Sequence, residues 1–218
     1  MKIFVVVPAF NEEKRIGSVL SKLKNMGQKV VVVDDGSRDE TLKISKNYTP
    51  YVFGHKVNLG KGAALKTGCE AAFSLGADAI ILMDSDGQHK VSDLPLFIKQ
   101  LEKGYSVVFG SRNLSHGVPL VRYLGNKVAS IMVNTLFGIY ASDILCGFKA
   151  MTKSAYKKIS WVSKGYSVET EIVAKTGEYK LKNCEVPVAT VYYDKFKGLT
   201  VQEGLGILFD ILKFKFLR

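Results

Sequence analysis

Short apolar runs alternate with longer stretches of helical periodicity over residues 1–110. The apolar runs, such as Ile3–Val7 and Ala79–Met83, do not alternate with polar residues, which is typical of strands covered on both faces of a sheet. Strands and helices that alternate at this spacing predict right-handed crossovers between parallel strands. The sequence therefore predicts an α/β fold, a mostly parallel sheet flanked by helices.

The pattern predicts elements along the whole chain. Strands are expected at Lys2–Val7, Lys29–Val33, Tyr51–Phe53, Ala79–Met83, Ser106–Phe109, Cys146–Met151 and Lys182–Tyr193. Helices are expected at Glu12–Met26, Asp39–Tyr48, Lys61–Leu75, Val91–Glu102, Val121–Tyr140, Val168–Thr176 and Thr200–Arg218. Since no low-complexity linker or internal repeat interrupts them, we interpret 1–218 as a single domain with three parts, 1–113, 114–199 and 200–218.

The last predicted helix, Thr200–Arg218, is broadly apolar with a narrow polar stripe and a basic end at Lys213, Lys215 and Arg218. Such a helix packs on the sheet or on a partner chain, or it lies as an amphipathic helix in a membrane interface. The pattern leaves both interpretations open. The other apolar runs are far shorter than the roughly 18 residues of a membrane span.

Charge adds one constraint on partners. The 31 basic and 20 acidic residues give a net charge of +11, and residues 149–218 alone hold 13 basic and 7 acidic residues. The excess is lysine, and no helix-turn-helix, zinc-finger or RNP pattern accompanies it, so we expect no nucleic-acid partner. A lysine-rich face is also compatible with solvation or an anionic membrane surface. Three widely separated cysteines and the absence of a signal peptide pattern favour a cytoplasmic location.

Polar residues follow four of the predicted strands, where each strand ends. They are Pro8–Glu12, Asp34–Ser37, Asp84–Gln88 and Gly110–Asn113. In open α/β sheets, ligands bind outside the carboxyl ends of the strands. The sequence therefore predicts a functional site at this edge of the sheet.

Asp84, Asp86 and Gln88 occupy alternate positions after a buried strand, so their oxygens face the same side of an extended segment. Oxygen ligands of this kind suit Mg²⁺ or Mn²⁺, which complete their shells with water and substrate phosphates. The alternative is an Asp- and Gly-rich turn without a metal. The neighbouring pair Asp34 and Asp35 weakens this alternative, because two uncompensated acidic clusters at one edge would repel each other unless a cation or donors from a ligand such as a nucleobase and ribose satisfy them. A P-loop and a G-x-S-x-G elbow are both absent.

Several motifs resemble family 2 glycosyltransferases with the GT-A fold, and they appear in the order found there. The later motifs resemble the branch that contains dolichyl-phosphate mannose and glucose synthases. The motifs are VVVPAFNEE (5–13), VVVDDGSRDET (31–41), NLGKGAALKTG (58–68), DAIILMDSDGQH (78–89), VVFGSRN (107–113), SDILCGFKAMTKSAY (142–156), VETEI (168–172) and CEVPV (184–188).

The resemblance implies roles for individual residues. Nucleotide-sugar binding would fall to Pro8, Phe10, Asn11, Glu12, Asp35, Lys61, Asp84, Ser85 and Asp86. Metal binding would fall to Asp84, Asp86 and Gln88, and catalysis to Arg112, Arg122 and Asp143. Guanidinium groups suit a diphosphate or an acceptor phosphate, although either arginine could instead form a surface salt bridge. Asp143 is then a base or an orienting group, or else a turn cap.

Other acidic and histidine side chains near these motifs are interpreted as structural. Glu169 and Glu171 lie on a predicted helix near the CGFK turn, where a structural role is more common than a catalytic one. His89 follows the metal motif, and beside hard oxygen ligands we expect it to pack rather than to bind the cation.

The function implied by the resemblance is metal-dependent, inverting transfer of a hexose. The donor would be a nucleotide diphosphate sugar of the GDP-mannose or UDP-glucose class, and the acceptor a polyprenyl or dolichyl phosphate. Residues 1–113 would bind the donor, 114–199 the acceptor, and 200–218 a membrane surface or a membrane partner protein, on the cytoplasmic face. The alternatives are a hydroxyl acceptor with Asp143 as base, a nucleotidyltransferase lacking the usual G-x-G-T-R loop, and a non-catalytic basic binding module.

Overall fold

A computed structural model describes residues 1–112, 120–189 and 201–216, without the side chains of residues 120–122 and 201–205. Within these residues the strands are β1 (Ile3–Ala9), β2 (Lys29–Asp34), β3 (Val52–Gly54), β4 (Ala79–Leu82), β5 (Val107–Arg112), β6 (Lys149–Thr152) and β7 (Asn183–Val188). The helices are α1 (Ile16–Asn25), α2 (Thr41–Lys46), α3 (Lys61–Ser74), α4 (Leu94–Glu102), α5 (Leu120–Phe137), α6 (Lys153–Ile159), α7 (Val168–Glu178) and α8 (Val201–Phe216).

The seven strands form one sheet in the order β3-β2-β1-β4-β6-β5-β7. The pairs β1–β2, β1–β4, β2–β3 and β5–β7 are parallel, whereas β6 runs antiparallel to both of its neighbours. The carboxyl ends of β1, β2, β4 and β5 therefore lie at the same edge of the sheet. The polar segments that follow these strands meet there, as the sequence predicted.

Helices cover both faces of the sheet, which explains why the strands are apolar throughout. In β1, Phe4 and Val6 pack on the face that α3 and α5–α8 cover, while Val5 and Val7 pack on the face that α1 and α4 cover. Successive strand residues point to opposite faces, so each strand contributes to two separate cores. The predicted α/β class with a mostly parallel sheet is confirmed.

Two helices differ most from the sequence prediction. Helix α1 begins at Ile16 rather than at Glu12, because Asn11 leaves β1 with a positive φ of 53° and the Glu12 amide donates to Thr41 Oγ1 instead of starting a helix. Helix α6 was not predicted at all. Its Thr152 cap accepts a hydrogen bond from the Ala155 amide, a signal present in the sequence but not used.

The remaining boundaries shift by a few residues. Helix α5 ends at Phe137, before Gly138 with a φ of 68°, and not at Tyr140. Strand β6 begins at Lys149 instead of Cys146. Strand β7 covers the first part of the predicted strand Lys182–Tyr193, whose residues 190–193 lie outside the described ranges.

Helix α8 is present, and it contacts α5 and α7. Ile207 and Ile211 are buried in the core, whereas Phe209, Leu212 and Phe216 are exposed together with Lys213 and Lys215. The outer surface of α8 is therefore partly apolar and partly basic. In the part of the chain with described structure, no helix combines the length and the apolar character needed to cross a membrane.

Candidate active site

The segments after β1 and β2 are joined by hydrogen bonds at the site edge of the sheet. The Asn11 amide donates to Ser37 Oγ (2.9 Å), and Asn11 Oδ1 accepts from the Arg38 amide (2.9 Å). Pro8 is buried at the end of β1, and Phe10 is exposed beside it. Asn11 thus links the segments after β1 and β2 into one wall of the site. Phe10 lies on this wall and exposes its aromatic ring to solvent.

Asp35 is buried and has several partners within the protein. Its Oδ1 lies 2.6 Å from His55 Nδ1 and accepts from the Leu59 amide (3.0 Å), and its Oδ2 accepts from the Gly60 amide (2.8 Å). From the sequence alone, this carboxylate is expected to be uncompensated. In the structure these donors compensate it, so its predicted contact with a nucleotide would use the remaining acceptor capacity.

Asp34 differs from its neighbour, because one of its buried oxygens lacks a partner. Its Oδ2 accepts from the Ser37 amide (3.2 Å), whereas Oδ1 is buried without a hydrogen bond. Such an oxygen carries a desolvation cost that a donor from a ligand or a water would remove.

Lys61 connects the predicted metal motif to a helix of the second half of the chain. Its Nζ lies 2.6 Å from Asp84 Oδ1 and 2.6 Å from Glu169 Oε1. Burial lowers the pKa of Lys61, but the two carboxylates outweigh this effect and raise it. Burial likewise raises the pKa of Asp84, but Lys61, with His89 and Arg112, lowers it to about 2. Lys61 and Asp84 are therefore both charged at neutral pH.

Asp86 lies near Asp84, and its negative charge is less well compensated by neighbouring positive groups than that of Asp84. Burial and the charge of Asp84 raise its pKa, although its Oδ1 accepts a hydrogen bond from the Gln88 amide (2.9 Å). Ser85 is buried between the two aspartates. Residues 85–87 form a turn, with a positive φ of 75° at Gly87, so this segment is not extended as the sequence predicted. The shared role of Asp84, Asp86 and Gln88 as metal ligands stays a prediction.

These residues fit a hard divalent cation. A positive charge beside Asp84 and Asp86 would relieve the electrostatic cost that raises the pKa of Asp86. Carboxylate and amide oxygens are also the donors that Mg²⁺ and Mn²⁺ prefer. Among the described residues no three His, Cys, Asp or Glu side chains form a metal cluster. A cation here would need other ligands as well, such as water or substrate oxygens.

His89 packs below this motif. Its ring stacks on Phe148 with 5.0 Å between the ring centroids, and its Nδ1 accepts from the Asp84 amide (3.4 Å). Burial is the main reason that the pKa of His89 falls to about 4, so the ring is neutral at pH 7. This arrangement agrees with the expected packing role.

Arg112, at the end of β5, forms a two-point ion pair with Asp143. The distances are 2.6 Å from Nε to Oδ2 and 2.9 Å from Nη2 to Oδ1, and the Arg112 amide also donates to Oδ2 (3.2 Å). Asp143 is 1% exposed, whereas the Arg112 side chain is 21% exposed. Both oxygens of Asp143 are therefore used to orient the guanidinium.

The turn between Asp143 and β6 is held by Lys149, to which the sequence assigns no role in the site. Lys149 is buried, and its Nζ donates to the carbonyl oxygens of Ile144 (3.1 Å) and Cys146. In the same turn, Gly147 lies so close to Asp84 that a Cβ there would be 2.5 Å from Asp84 Oδ2. Lys149 thus fixes a turn that carries the partner of Arg112 and touches Asp84.

Two acidic residues of α7 have different roles. Glu171 accepts from the amides of Val162 and Ser163 and from Lys175, which is the expected structural role. Glu169 contacts Lys61 and so belongs to the site, which sequence reasoning missed. The sequence signal that could have identified Glu169 is its position in the VETEI motif, two residues before Glu171.

The structure adds little to the predicted roles of Glu12, Arg122 and Asn113. Glu12 is mostly buried near Asp86, and its Oε2 lies 3.5 Å from Arg15 Nη1. The side chain of Arg122 lies outside the described part of the chain, as does Asn113. Their contributions remain predictions.

The fold and the site define the class of protein. A sheet of this type with a predicted metal motif at its carboxyl edge has the GT-A architecture of nucleotide-sugar-dependent glycosyltransferases. The model of the family described as "Glycosyl transferase family 2" matches residues 4–160. The chain belongs to glycosyl transferase family 2 and is a glycosyltransferase, which confirms the resemblance.

Individual relatives carry more specific names. The chain is 32% identical to a UDP-N-acetylglucosamine–dolichyl-phosphate N-acetylglucosaminyltransferase of Methanococcus voltae, over 98% of this chain and 96% of that protein. It is 29% identical to a dolichol-phosphate mannosyltransferase of Pyrococcus furiosus, over 99% of this chain and 65% of that protein.

A solved structure supports the fold. Glucosyl-3-phosphoglycerate synthase of Mycobacterium tuberculosis, in complex with Mn²⁺, UDP and glucosyl-3-phosphoglycerate, is similar with a TM-score of 0.70. The identity is 19%, over 98% of this chain and 78% of that one.

Proposed function

We propose that the protein transfers a sugar from a nucleoside diphosphate sugar to a polyprenyl or dolichyl phosphate, with inversion and with Mg²⁺ or Mn²⁺ as cofactor. The relatives from Methanococcus voltae and Pyrococcus furiosus are named for dolichyl-phosphate acceptors, which supports this acceptor class. One of those names specifies a UDP sugar, and the solved neighbour contains UDP with Mn²⁺.

The observation that carries the proposal is the ion pair of Arg112 with Asp143. Asp143 was the candidate base for a hydroxyl acceptor, but both of its oxygens accept hydrogen bonds from Arg112. A phosphate monoester has a second pKa of about 6, so it is largely a dianion at neutral pH and reacts without a general base. The geometry therefore favours a phosphate acceptor over a hydroxyl acceptor.

The residues of this chain would act mainly by positioning and by charge. Asp84, Asp86 and Gln88 would hold the cation, which supplies Lewis-acid stabilisation of the departing diphosphate. Arg112, oriented by Asp143, would place a guanidinium against phosphate oxygens as negative charge develops there. Phe10, Asn11 and the loop after β2 would form the wall that receives the nucleoside.

The polyprenyl acceptor requires contact with a membrane surface, and α8 offers a suitable one. Its exposed Phe209, Leu212 and Phe216 lie near the exposed Lys213 and Lys215. Apolar side chains beside lysines suit an interface with anionic lipid. We therefore assign the protein to the cytoplasmic membrane face as a peripheral protein; this assignment is part of the proposal.

Purified protein incubated with radiolabelled UDP-N-acetylglucosamine, UDP-glucose or GDP-mannose, Mg²⁺ and a polyprenyl phosphate tests the proposal. We expect chloroform-soluble label with one of these donors, and loss of that label in Asp84→Asn. A reaction with water-soluble glycans but not with the lipid phosphate would contradict the acceptor class. The absence of lipid-linked label with every donor would do so as well.

A further inference from the structure

Lys61 is shared by two carboxylates that lie far apart in the sequence. One is Asp84, a predicted metal ligand, and the other is Glu169 of α7, each 2.6 Å from Lys61 Nζ. An ammonium group has three donors, so it satisfies both contacts at once. The second oxygen of Glu169, Oε2, is buried without a hydrogen-bond partner. Glu169 therefore has acceptor capacity that the present arrangement does not use.

The backbone at Lys61 is fixed, so a change of partner has to come from the side chain. The Gly62 amide donates to the Lys164 carbonyl oxygen (2.6 Å), and Trp161 Nε1 donates to the Gly62 carbonyl oxygen (2.9 Å). A Cβ at Gly62 would lie 2.1 Å from the Ser163 carbonyl oxygen, so the two segments are in close contact. The flexible four-carbon stem of lysine is the part that is free to move.

Asp84 has little room for a second cation while Lys61 is bound. Its Oδ1 lies 2.6 Å from Lys61 Nζ. Its Oδ2 faces the backbone of Gly147 so closely that a Cβ added to Gly147 would lie 2.5 Å from this oxygen. A divalent cation on Asp84 would also repel an ammonium group held at 2.6 Å from the same carboxylate. The two positive charges therefore compete for one ligand.

We propose that Lys61 competes with the divalent cation for Asp84, and that Glu169 retains the Lys61 ammonium once the cation has displaced it. The proposal rests on the proposed function, because it takes Asp84 to be a metal ligand. Glu169 is then a positioning residue that acts through Lys61. A nucleoside diphosphate adds negative charge next to the released ammonium, so nucleotide binding favours the exchange and tightens metal binding. By thermodynamic linkage, the metal tightens nucleotide binding by the same factor.

Binding of Mn²⁺ to the protein without substrate, followed by the electron paramagnetic resonance signal of free Mn²⁺, tests the competition. We expect Lys61→Met to bind Mn²⁺ roughly tenfold more tightly than wild type, because a partly buried ion pair no longer has to be broken. Lys61→Arg, which keeps the charge, should stay close to wild type. Lys164→Met removes the same charge from an exposed neighbouring position and is the matched control.

Addition of UDP or GDP tests the coupling. Nucleotide should tighten Mn²⁺ binding clearly in wild type and much less in Lys61→Met. Equal Mn²⁺ affinities for Lys61→Met and Lys164→Met would overturn the competition. Should Lys61→Met fail to fold, as judged by circular dichroism, Lys61→Gln removes the charge while keeping a donor for Glu169.

A double-mutant cycle tests the role of Glu169. Glu169→Gln should weaken Mn²⁺ binding in wild type, because the displaced ammonium loses its second carboxylate, but should have little effect in Lys61→Met. Equal effects in both backgrounds would show that Glu169 acts without Lys61 and would overturn its assigned role. A purely structural Glu169 would change the melting temperature and leave the Mn²⁺ affinity unchanged.

The proposed function has a separate control. Asp84→Asn combined with Asp86→Asn should abolish Mn²⁺ binding in the presence of nucleotide. Absence of Mn²⁺ binding to wild type, with and without nucleotide, would contradict the metal site itself. Binding that depends on the two aspartates but not on Lys61 would contradict only the competition.

Discussion

The ion pair between Arg112 and Asp143 yields the most direct test of the site, through the substitution Asp143→Asn. Loss of one partner from a buried ion pair costs about 3–5 kcal/mol. Asparagine keeps one acceptor oxygen, and the Arg112 side chain is 21% exposed, so water offsets part of the loss. We therefore expect a destabilisation of about 2–3 kcal/mol. For a chain of this size, that lowers the melting temperature by about 4–12 °C.

Catalysis should suffer from the same substitution, because the guanidinium loses its fixed orientation. A charge-assisted hydrogen bond contributes about 1.5–3 kcal/mol, which corresponds to a decrease of about 10- to 160-fold in kcat. Melting curves followed by circular dichroism and transfer of labelled sugar to lipid phosphate measure the two effects. Glu40→Gln, which removes an exposed ion pair with Lys43, is the control and should change both values little.

The double mutant distinguishes positioning from base catalysis. If Asp143 acts only by orienting Arg112, then Asp143→Asn should slow transfer much less in an Arg112→Met background than in wild type. A general base would act independently of the arginine. An equal loss of rate in both backgrounds would therefore refute the positioning role and restore the hydroxyl-acceptor alternative.

Three further predictions concern other parts of the molecule. Gly147→Ala should weaken the thermal stabilisation of the protein by UDP with Mn²⁺, because the added Cβ would displace Asp84 Oδ2. Gly125→Ala, where the added Cβ meets open space, is the control and should leave this stabilisation unchanged in the same thermal-shift assay. Burial raises the pKa of Glu171, but hydrogen bonds from Ser163, Lys175 and Val162 outweigh burial and lower the pKa overall. The ionised carboxylate therefore stabilises the folded protein above about pH 4.5, and this stabilisation is lost as the pH falls further. Urea titrations at several pH values should show a smaller decline in the free energy of unfolding for Glu171→Gln. Phe209→Ser with Phe216→Ser should reduce co-sedimentation with anionic vesicles, and unchanged sedimentation would contradict membrane contact through α8.

The edge of the sheet that carries the site was predictable from the sequence, because it depends on local signals. Apolar runs mark β1, β2, β4 and β5, and parallel strands place their carboxyl ends at one edge. The antiparallel insertion of β6 between β4 and β5 was not predictable in this way, since strand order depends on contacts distant in sequence. The CGFK turn lies beside Asp84 as a result of that insertion.

Pairing of charges was the part of the site that the sequence did not reveal. Motif resemblance indicated Lys61, Arg112 and Asp143 individually, but it did not show that Asp143 is committed to Arg112 or that Lys61 reaches Glu169. Both pairs join elements separated by long loops or whole helices. A charged residue in a motif has several candidate partners, and only the packing of the elements selects one of them.

Among the described residues of the site, Arg112 and Lys61 differ in whether their carboxylate partners are predicted metal ligands, and this difference has a chemical consequence. Arg112 is bound by Asp143, which is not a predicted metal ligand, so its charge stays in place whether or not a cation binds. Lys61 is bound partly by Asp84, which is such a ligand, so its position depends on the cation. A fixed guanidinium suits the stabilisation of charge that develops during transfer, since preorganised groups need no rearrangement in the transition state. An exchangeable ammonium instead suits binding of the donor, because it compensates Asp84 before the metal and nucleotide arrive.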